Sequence, residues 1–259
     1  MADLSGFPIT NRWPAQRPDA IQLYSLPTPN GVKASIMLEE CALDYEVHRI
    51  SIGDPEDQMT PEYLSLNPNN KIPAMIDPNG PGGQPIGIFE TGAILIYLGD
   101  KTGQFLPASG AARYHTIQWL MWQMGGLGPM SGQNNHFSNY AADKIQYAMD
   151  RYRNEVNRLY GVMDKRLADR PFLAGEYSIA DMASYPWVVP HERQGQKIAD
   201  FPHLKKWLET IAARPAVVKA YEHVAKVNPG QGGIRTAEER AILFGQTAAS
   251  VGKAAAGAR

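Results

Sequence analysis

The sequence predicts an α/β domain followed by an all-helical domain. Alternating apolar residues and dense turn signals predict strands and short helices up to residue 106, whereas from residue 113 onward the apolar residues recur only at helical spacing. The chain has 259 residues, enough for two domains, and 44% of them are hydrophobic, which is typical of a globular protein. We therefore divide it into an N-terminal arm (1–20), an α/β domain (21–106), a helical domain (113–226) and a C-terminal extension (227–259).

The first elements form a βαβ unit. Three prolines and no sustained period predict an extended arm over 1–20. Residues 21–24 alternate like a strand, a turn rich in proline and glycine follows at 27–31, and helical spacing begins at Val32. Residues 45–50 alternate again and predict a second strand, which completes the unit.

Two more strands and a helix complete the α/β domain. Residues 74–76 predict a short strand, and 86–89 predict its antiparallel partner after a turn rich in glycine. Glu90, Thr91 and Gly92 then open an apolar helix that ends near Gly103.

The helical domain contains the strongest period in the sequence. Apolar residues from Ile145 to Leu167 predict one long helix with a single apolar stripe. Before it, a shorter helix ending with Met124 is expected to stop at Gly125 and Gly126. The spacing of Ser178 and Asp181 predicts a capping box at a further helix, and the last predicted helix breaks around 214–215.

Charge and cysteine content exclude several functions. With 25 basic and 26 acidic residues the net charge is −1, which argues against a nucleic-acid binder. Cys41 is the single cysteine, which excludes an intramolecular disulfide and a cysteine-based zinc site, and its apolar neighbours predict a buried, inert thiol. The six histidines lack metal-ligand spacing, so we expect no metal.

The chain shows neither a signal peptide nor a membrane span, so we expect a cytoplasmic protein that does not bind membranes.

Three motifs at the element boundaries carry a family resemblance. They are Lys71-Ile72-Pro73-Ala74, Glu90-Thr91-Gly92-Ala93-Ile94-Leu95 and Tyr177-Ser178-Ile179-Ala180-Asp181-Met182-Ala183. With them the sequence resembles the cytosolic glutathione transferases over residues 21–226. The runs 27–31, 65–73, 118–123 and 125–130 are most similar to the nu class, the bacterial disulfide-bond oxidoreductases, with the fungal Ure2-like proteins close by. The resemblance implies a thioredoxin-like N-terminal domain, an all-α C-terminal domain, a homodimer, and glutathione as co-substrate.

Glutathione has two carboxylates, one amine and one thiol, and two residues suit its amine and one carboxylate. Thr91 starts a helix, where backbone N–H groups and a hydroxyl can hold a carboxylate, and Glu90 can receive the ammonium group. The alternative is a plain helix cap. If the Ile72–Pro73 bond is cis, the backbone N–H and C=O of Ile72 can pair with an extended peptide ligand, and the resemblance implies that they pair with the cysteinyl part of glutathione. The alternative is an ordinary trans turn, and the sequence leaves this open.

Three further contacts rest mainly on the resemblance. Gln58 and Lys71 match family positions that contact the glycine end of glutathione, although such loop residues are usually solvated. Arg151 matches a position on the long helix that offers a fork for a carboxylate. Its alternative is an exposed arginine paired with Glu155.

Thr28 and Asn30 are the predicted catalytic residues, and Asn30 also belongs to the predicted glutathione-binding set. They lie at the turn where related redox proteins place a C-x-x-C motif, and together with a helix N-terminus they can hydrogen-bond a thiolate and lower the pKa of its thiol. The alternative is that 27–31 is only a turn. Because no cysteine is present at this turn, both reactive sulfurs must arrive with the ligands.

The function that the resemblance implies is glutathione-dependent reduction of small disulfides, with two glutathiones or oxidised glutathione in one site. Weak transferase and peroxidase activity follows from the same site. Two alternatives remain open: removal of glutathione from a thioether-linked aromatic metabolite, and a non-catalytic Ure2-like regulatory protein.

Overall fold

The computed structural model describes residues 1–227 and 236–249, and the remainder of the predicted C-terminal extension lies outside them. The chain forms two compact units. One comprises Met1–Ile94 and Ala220–Arg259, and the other comprises Leu95–Lys219. Their boundaries fall within two helices, α5 (Thr91–Thr102) and α11 (Pro215–Val227).

The first unit is built on a four-stranded mixed sheet. Its strands are β1 (Ile21–Ser25), β2 (Tyr45–Arg49), β3 (Ala74–Asp77) and β4 (Ile86–Phe89), arranged in the order β2-β1-β3-β4. β2 is parallel to β1, whereas β3 is antiparallel to both β1 and β4. All residues of β1 and β3 are buried, because these two strands are central in the sheet. The predicted α/β fold of the N-terminal domain is confirmed.

Among the described residues, five α-helices lie wholly within the first unit. They are α1 (Ile9–Arg12), α2 (Pro29–Glu40), α3 (Pro55–Gln58), α4 (Pro61–Leu66) and α12 (Ala237–Phe244). The first turn of α2 has proline at its first position, where the missing N–H costs no hydrogen bond. Eight successive residues of α2, from Gly31 to Leu38, are buried.

The N-terminal arm is packed into the first unit and includes α1, so the prediction of an extended arm was wrong. Leu4 and Ile9 belong to the same buried cluster as Tyr24 and Tyr63. Trp13 packs edge-on against both tyrosines, with ring centroids 6.3 Å apart in each case. A four-residue helix is too short to show an apolar period, which is why the sequence pattern missed it.

Polar contacts attach the end of the arm to the edge strand β2. The Glu46 carboxylate accepts hydrogen bonds from the backbone N–H groups of Gln16 and Arg17. The Arg17 guanidinium in turn donates to the Asp44 carboxylate and to the carbonyl of Tyr45. The arm is therefore an integral part of this unit.

Substitution of a buried arm residue tests this integration. Ile9 is fully buried, so Ile9→Ala should lower the free energy of unfolding by about 2–5 kcal/mol through lost apolar contacts and a residual cavity. Urea unfolding measures the change. The control Ile145→Ala, at an exposed position, should change it by less than about 0.5 kcal/mol. Equal effects of the two substitutions would show that the arm contributes nothing to stability.

The second unit is helical throughout its regular structure, as predicted. Its helices, besides the parts of α5 and α11, are α6 (Gly110–Trp122), α7 (Gly128–Asn135), α8 (Gln146–Arg166), α9 (Ile179–Val188) and α10 (Pro202–Ala212). Trp207 and Leu204 of α10 and most of α9 are buried in its core.

The predicted stop at Gly125 and Gly126 was wrong. The chain continues without a break as a π-helical segment, Gln123–Leu127, and enters α7 directly. A second π-helical segment, His136–Tyr140, follows α7. A glycine pair lowers helix propensity but does not prohibit helical backbone, and tertiary packing overrides that weak preference here. Segments of this kind often occur near functional sites.

The long predicted helix is present as α8, but its apolar stripe is only partly buried. Val156, Leu159, Tyr160 and Met163 in its C-terminal half are buried. Ile145, which precedes the helix, is exposed instead. The apolar period therefore predicted the helix correctly. It did not predict that the buried residues of the helix lie only in its C-terminal half.

The predicted capping box at the start of α9 is confirmed. Ser178 Oγ accepts a hydrogen bond from the N–H of Ala180, and the Asp181 carboxylate accepts from the N–H of Ser178. The same carboxylate also accepts from the Leu173 N–H at 3.0 Å and from the Trp207 indole at 2.8 Å. Burial raises the pKa of Asp181 to about 6, while these donors act to lower it. The Asp181 side chain thus links the loop at Leu173 and the start of α9 to Trp207 of α10.

Removal of this carboxylate should destabilise the protein strongly. Asp181→Ala leaves three buried N–H donors without their acceptor and should lower the free energy of unfolding by about 3 kcal/mol or more. The control is Asp169→Ala, which removes an exposed carboxylate paired with its neighbour Arg170. Thermal or urea unfolding compares the two. A loss for Asp181→Ala no larger than that of the control would refute the bracing role.

Candidate functional site

Three strand ends meet at one edge of the sheet in the first unit. Tyr24 of β1 and Phe89 of β4 both pair with Ala74, the first residue of β3. Extending the two antiparallel registers by one residue places Ser25 and Glu90 on either side of Pro73. The turn after β1, the loop before β3 and the start of α5 are therefore neighbours, so the sheet brings together Thr28, Asn30, Ile72, Glu90 and Thr91.

Thr28 is the N-cap of α2. Its Oγ1 accepts a hydrogen bond from the N–H of Gly31 at 3.2 Å. Within the part of the chain that the structure describes, its own hydroxyl proton has no acceptor. The cap thus occupies a lone pair of the hydroxyl and leaves the proton available to a ligand.

The start of α2 lies close against the end of β1. A Cβ atom added to Gly31 would lie 2.0 Å from the Leu26 carbonyl oxygen, so this position requires glycine. Asn30 precedes it and is partly buried. Thr28 and Asn30 therefore both lie at the N-terminus of α2, which is the positive end of the helix dipole.

The loop before β3 is braced from inside the same unit. The carbonyl of Lys71 accepts a hydrogen bond from the Tyr63 hydroxyl at 2.8 Å and another from the Asn67 side-chain amide. The Ile72–Pro73 peptide bond is cis, which answers the question that the sequence left open. Among residues 1–227 and 236–249, the N–H and C=O of Ile72 have no hydrogen-bond partner. Both groups are therefore available to an extended peptide ligand.

Glu90 and Thr91 stand at the N-terminus of α5. Glu90 is exposed and has φ of 68°, in the left-handed region that non-glycine residues seldom adopt. Thr91 is buried, and the N–H groups of the first turn of α5 have no partners within the helix. A carboxylate and a set of backbone donors therefore lie side by side, which suits a ligand that carries an ammonium and a carboxylate group.

Lys33 is a buried charge that the sequence analysis missed. It lies in α2 with 1% of its surface exposed. Burial lowers the pKa of its ammonium group to about 7, and the negative charge of Glu90 opposes this shift. The available signal was its position as the only ionisable residue in the first two turns of an otherwise apolar helix.

Gln58 and Lys71, the two residues predicted to contact the glycine end of glutathione, differ in how exposed they are. Gln58 is buried, and its Nε2 donates to the carbonyl of Ile52 at 2.8 Å. Lys71 is exposed. Gln58 therefore braces its own loop in this structure, and its contact with a ligand stays a prediction.

Arg151 belongs to the second unit, where it lies on α8. Its guanidinium is 3.5 Å from Glu155, so the ion pair that the sequence offered as the alternative is present. Its side chain is still 54% exposed, and Glu155 also binds Arg158 at 2.7 Å. The role of Arg151 in ligand binding stays a prediction.

Comparison with known proteins identifies the family. The model for the N-terminal domain of glutathione S-transferase matches residues 19–100, and the model for its C-terminal domain matches 123–215. The chain belongs to the glutathione S-transferase family. The chain therefore has the two domains of this family, a thioredoxin-like N-terminal domain and a helical C-terminal domain.

Individual relatives of this glutathione transferase are similar over most of its length. Disulfide-bond oxidoreductase YfcG of Escherichia coli is 50% identical over 202 residues, which are 77% of this chain and 94% of that protein. A glutathione transferase from Burkholderia graminis, crystallised with two glutathione molecules per subunit, is 52% identical with a TM-score of 0.82, over 90% of this chain and 98% of that one. One from Pseudomonas putida, crystallised with one glutathione disulfide per subunit, is 51% identical with a TM-score of 0.80, over 88% of this chain and all of that one.

Other features of this glutathione transferase concern groups outside the site. Cys41 is buried, as predicted. In the described ranges, no cluster of histidine, cysteine and carboxylate side chains has the arrangement to hold a metal ion. No helix within those ranges combines the length and apolar character needed to cross a bilayer.

The buried Lys33 should make stability depend on pH in a defined direction. Its pKa is about 7 in the folded protein and 10.5 in the unfolded chain, so between these values the unfolded state binds more protons. The contribution of Lys33 therefore makes the free energy of unfolding rise with pH from about 7 to about 10. The variant Lys33→Met should lose this slope, measured by urea unfolding across that range.

The control for this measurement is Lys165→Met, which removes an exposed lysine of α8. It should keep the slope of the unsubstituted protein. Parallel curves for Lys33→Met and the unsubstituted protein would show that the Lys33 ammonium group is not desolvated by folding.

Proposed function

We propose that this protein is a glutathione-dependent disulfide-bond oxidoreductase of the nu class. The observation that carries the proposal is the hydroxyl of Thr28, the N-cap of α2, whose oxygen accepts from the Gly31 N–H while its proton has no acceptor among the described residues. The sheet brings this turn near the cis-proline loop, where the Ile72 N–H and C=O likewise have no partner within residues 1–227 and 236–249. The single cysteine is buried, so the chain offers no thiol of its own for the reaction. A glutathione transferase with this site suits chemistry in which the ligands bring the sulfur atoms.

The proposed reaction is two successive thiol–disulfide exchanges. A glutathione thiolate attacks one sulfur of a small disulfide, forms a mixed disulfide and releases the other half as a thiolate. A second glutathione thiolate then attacks the glutathionyl sulfur of the mixed disulfide. This step forms oxidised glutathione and releases the remaining half. Two glutathiones lose two electrons, the substrate gains them, and the released thiolates take up the two protons.

In this reaction Thr28 and Asn30 stabilise the attacking thiolate. A hydroxyl donor, an amide donor and the positive end of a helix dipole each favour the charged form of sulfur and lower the pKa of the glutathione thiol. Thr28 is suited to this role because the Gly31 N–H fixes the orientation of its hydroxyl group. The two residues increase the fraction of thiolate, and the rest of the site holds the sulfur atoms in line.

The remaining predicted residues bind the peptide portions of glutathione. Glu90 receives the ammonium group and Thr91 a carboxylate, while the Ile72 peptide group pairs with the cysteinyl residue. For the other carboxylate contacts we propose Gln58 and Lys71 at the glycine end and Arg151 from α8.

The relatives support this proposal. The E. coli relative is named a disulfide-bond oxidoreductase, and the Burkholderia and Pseudomonas proteins hold two glutathiones or one glutathione disulfide per subunit. We extend the same chemistry to this chain, together with weak transferase and peroxidase activity. We further propose that the protein is a cytoplasmic homodimer whose second substrate is a small disulfide.

Substitutions at Thr28 test the assigned chemistry. Thr28→Val removes the donor and should lower kcat/KM for reduction of a small mixed disulfide about 10- to 100-fold, the cost of a hydrogen bond to a charged group. The pH–rate profile should also move to higher pH, because the bound thiol loses a donor that favours its ionised form. Asn30→Ala should act in the same direction. Steady-state assays with glutathione as reductant measure both effects.

Thr28→Ser is the matched control, because serine keeps both the cap and the donor. It should retain most of the activity, while Thr28→Val also loses the cap and about 1 kcal/mol of stability. Circular dichroism establishes that each variant is folded before it is assayed. Equal rates and equal pH profiles for the serine and valine variants would exclude a role of the hydroxyl in catalysis.

A further inference from the structure

The segment after residue 236 returns to the first unit, beyond the part of the chain that the family models match. It consists of α12 (Ala237–Phe244) and the residues that follow it. Gln246 contacts the loop before β3, where its Oε1 accepts a hydrogen bond from Asn70 Nδ2 at 3.3 Å. Asn70 is buried, has φ of 48° and directly precedes Lys71.

A second contact joins α12 to the loop after β2. A Cβ atom built on Gly53 would lie at an ordinary van der Waals distance, 3.4 Å, from Cγ of Glu239, so the Glu239 side chain of α12 lies beside the backbone of that loop. Glu239 is held in place by a capping box, in which its Oε2 accepts from the N–H of Thr236 at 3.0 Å. The contact therefore involves an ordered side chain of α12.

Both contacted loops carry residues proposed for the glycine end of glutathione. The loop after β2 contains Ile52, whose carbonyl accepts from Gln58, and its fold is closed by the Ser51 N–H donating to Asp57 at 2.7 Å. The loop before β3 contains Lys71. One continuous piece of chain, α12 and Gln246, therefore contacts both of the loops that carry the residues proposed for the glycine end of glutathione.

We propose that α12 and Gln246 form a clamp that fixes these two loops and sets the affinity for the glycine residue of glutathione. This inference rests on the proposed function and assigns Gln246 and Glu239 as positioning residues. A loop that is already ordered loses less conformational freedom when it binds a ligand, so the clamp strengthens binding without touching the reacting atoms. The part of the ligand that it affects is the part those loops contact.

The test compares glutathione with γ-glutamylcysteine, the same thiol without its glycine residue. Calorimetric titration of Gln246→Ala should show about three- to tenfold weaker binding of glutathione, the effect expected for loss of one hydrogen bond. Binding of γ-glutamylcysteine should be unchanged. In the disulfide-reduction assay the KM for glutathione should rise by the same factor while kcat stays constant.

Two further variants complete the design. Glu239→Ala removes the capping carboxylate of α12 and should weaken glutathione binding in the same selective way. Gln84→Ala is the control, because it removes an exposed glutamine side chain from a turn of the same unit. It should bind both thiols as the unsubstituted protein does.

Hydrogen exchange of the ligand-free protein gives a readout that does not depend on glutathione. Gln246→Ala should speed exchange in 51–58 and 67–73 and leave the strands unchanged. Unaltered exchange, or equal weakening of both thiols, would overturn the clamp. Failure of the unsubstituted protein to bind either thiol would overturn the proposed function instead, and the exchange measurement would still decide whether the clamp exists.

Discussion

The candidate site depends on the pairing of β3 with two neighbours at once. Ala74, its first residue, pairs with Tyr24 of β1 and with Phe89 of β4. This double antiparallel register brings three segments, which lie far apart in sequence, to one edge of the sheet. The hydroxyl of Thr28, the peptide group of Ile72 and the carboxylate of Glu90 are useful together only because of this pairing.

The chemistry available at this edge follows from what the chain lacks as well as from what it holds. Its one cysteine, Cys41, is buried at the C-cap of α2, so the residues at the turn can only act on sulfur that a ligand supplies. A capped hydroxyl and a helix N-terminus are suited to that purpose because they stabilise negative charge without reacting. Lys33 is buried and follows this turn closely in sequence. Burial lowers the pKa of its ammonium group to about 7, so its charge depends on pH near neutrality.

Two segments outside both family-model matches support the loop before β3: one is the N-terminal arm up to residue 18, and the other is the segment 236–249. On one side the arm residues Phe7 and Trp13 pack in the same apolar cluster as Ile72 and Tyr63, and the Tyr63 hydroxyl holds the Lys71 carbonyl. On the other side Gln246 holds Asn70. A loop that must present free backbone groups to a ligand cannot be stabilised by those groups, so its order has to come from its neighbours.

The sequence by itself determined the two-domain class, the strands of the sheet, the long helix α8 and the capping box of Ser178 and Asp181, because each depends on local periodicity or on residues three positions apart. It placed Thr28 in a turn before a helix, and the structure shows that Thr28 is the N-cap of that helix. Only the tertiary structure decided the cis bond at Pro73, the burial of the arm, the helical course through Gly125 and the contact of Gln246 with Asn70. These features arise from packing between segments distant in sequence, and no local pattern encodes the energy of such contacts.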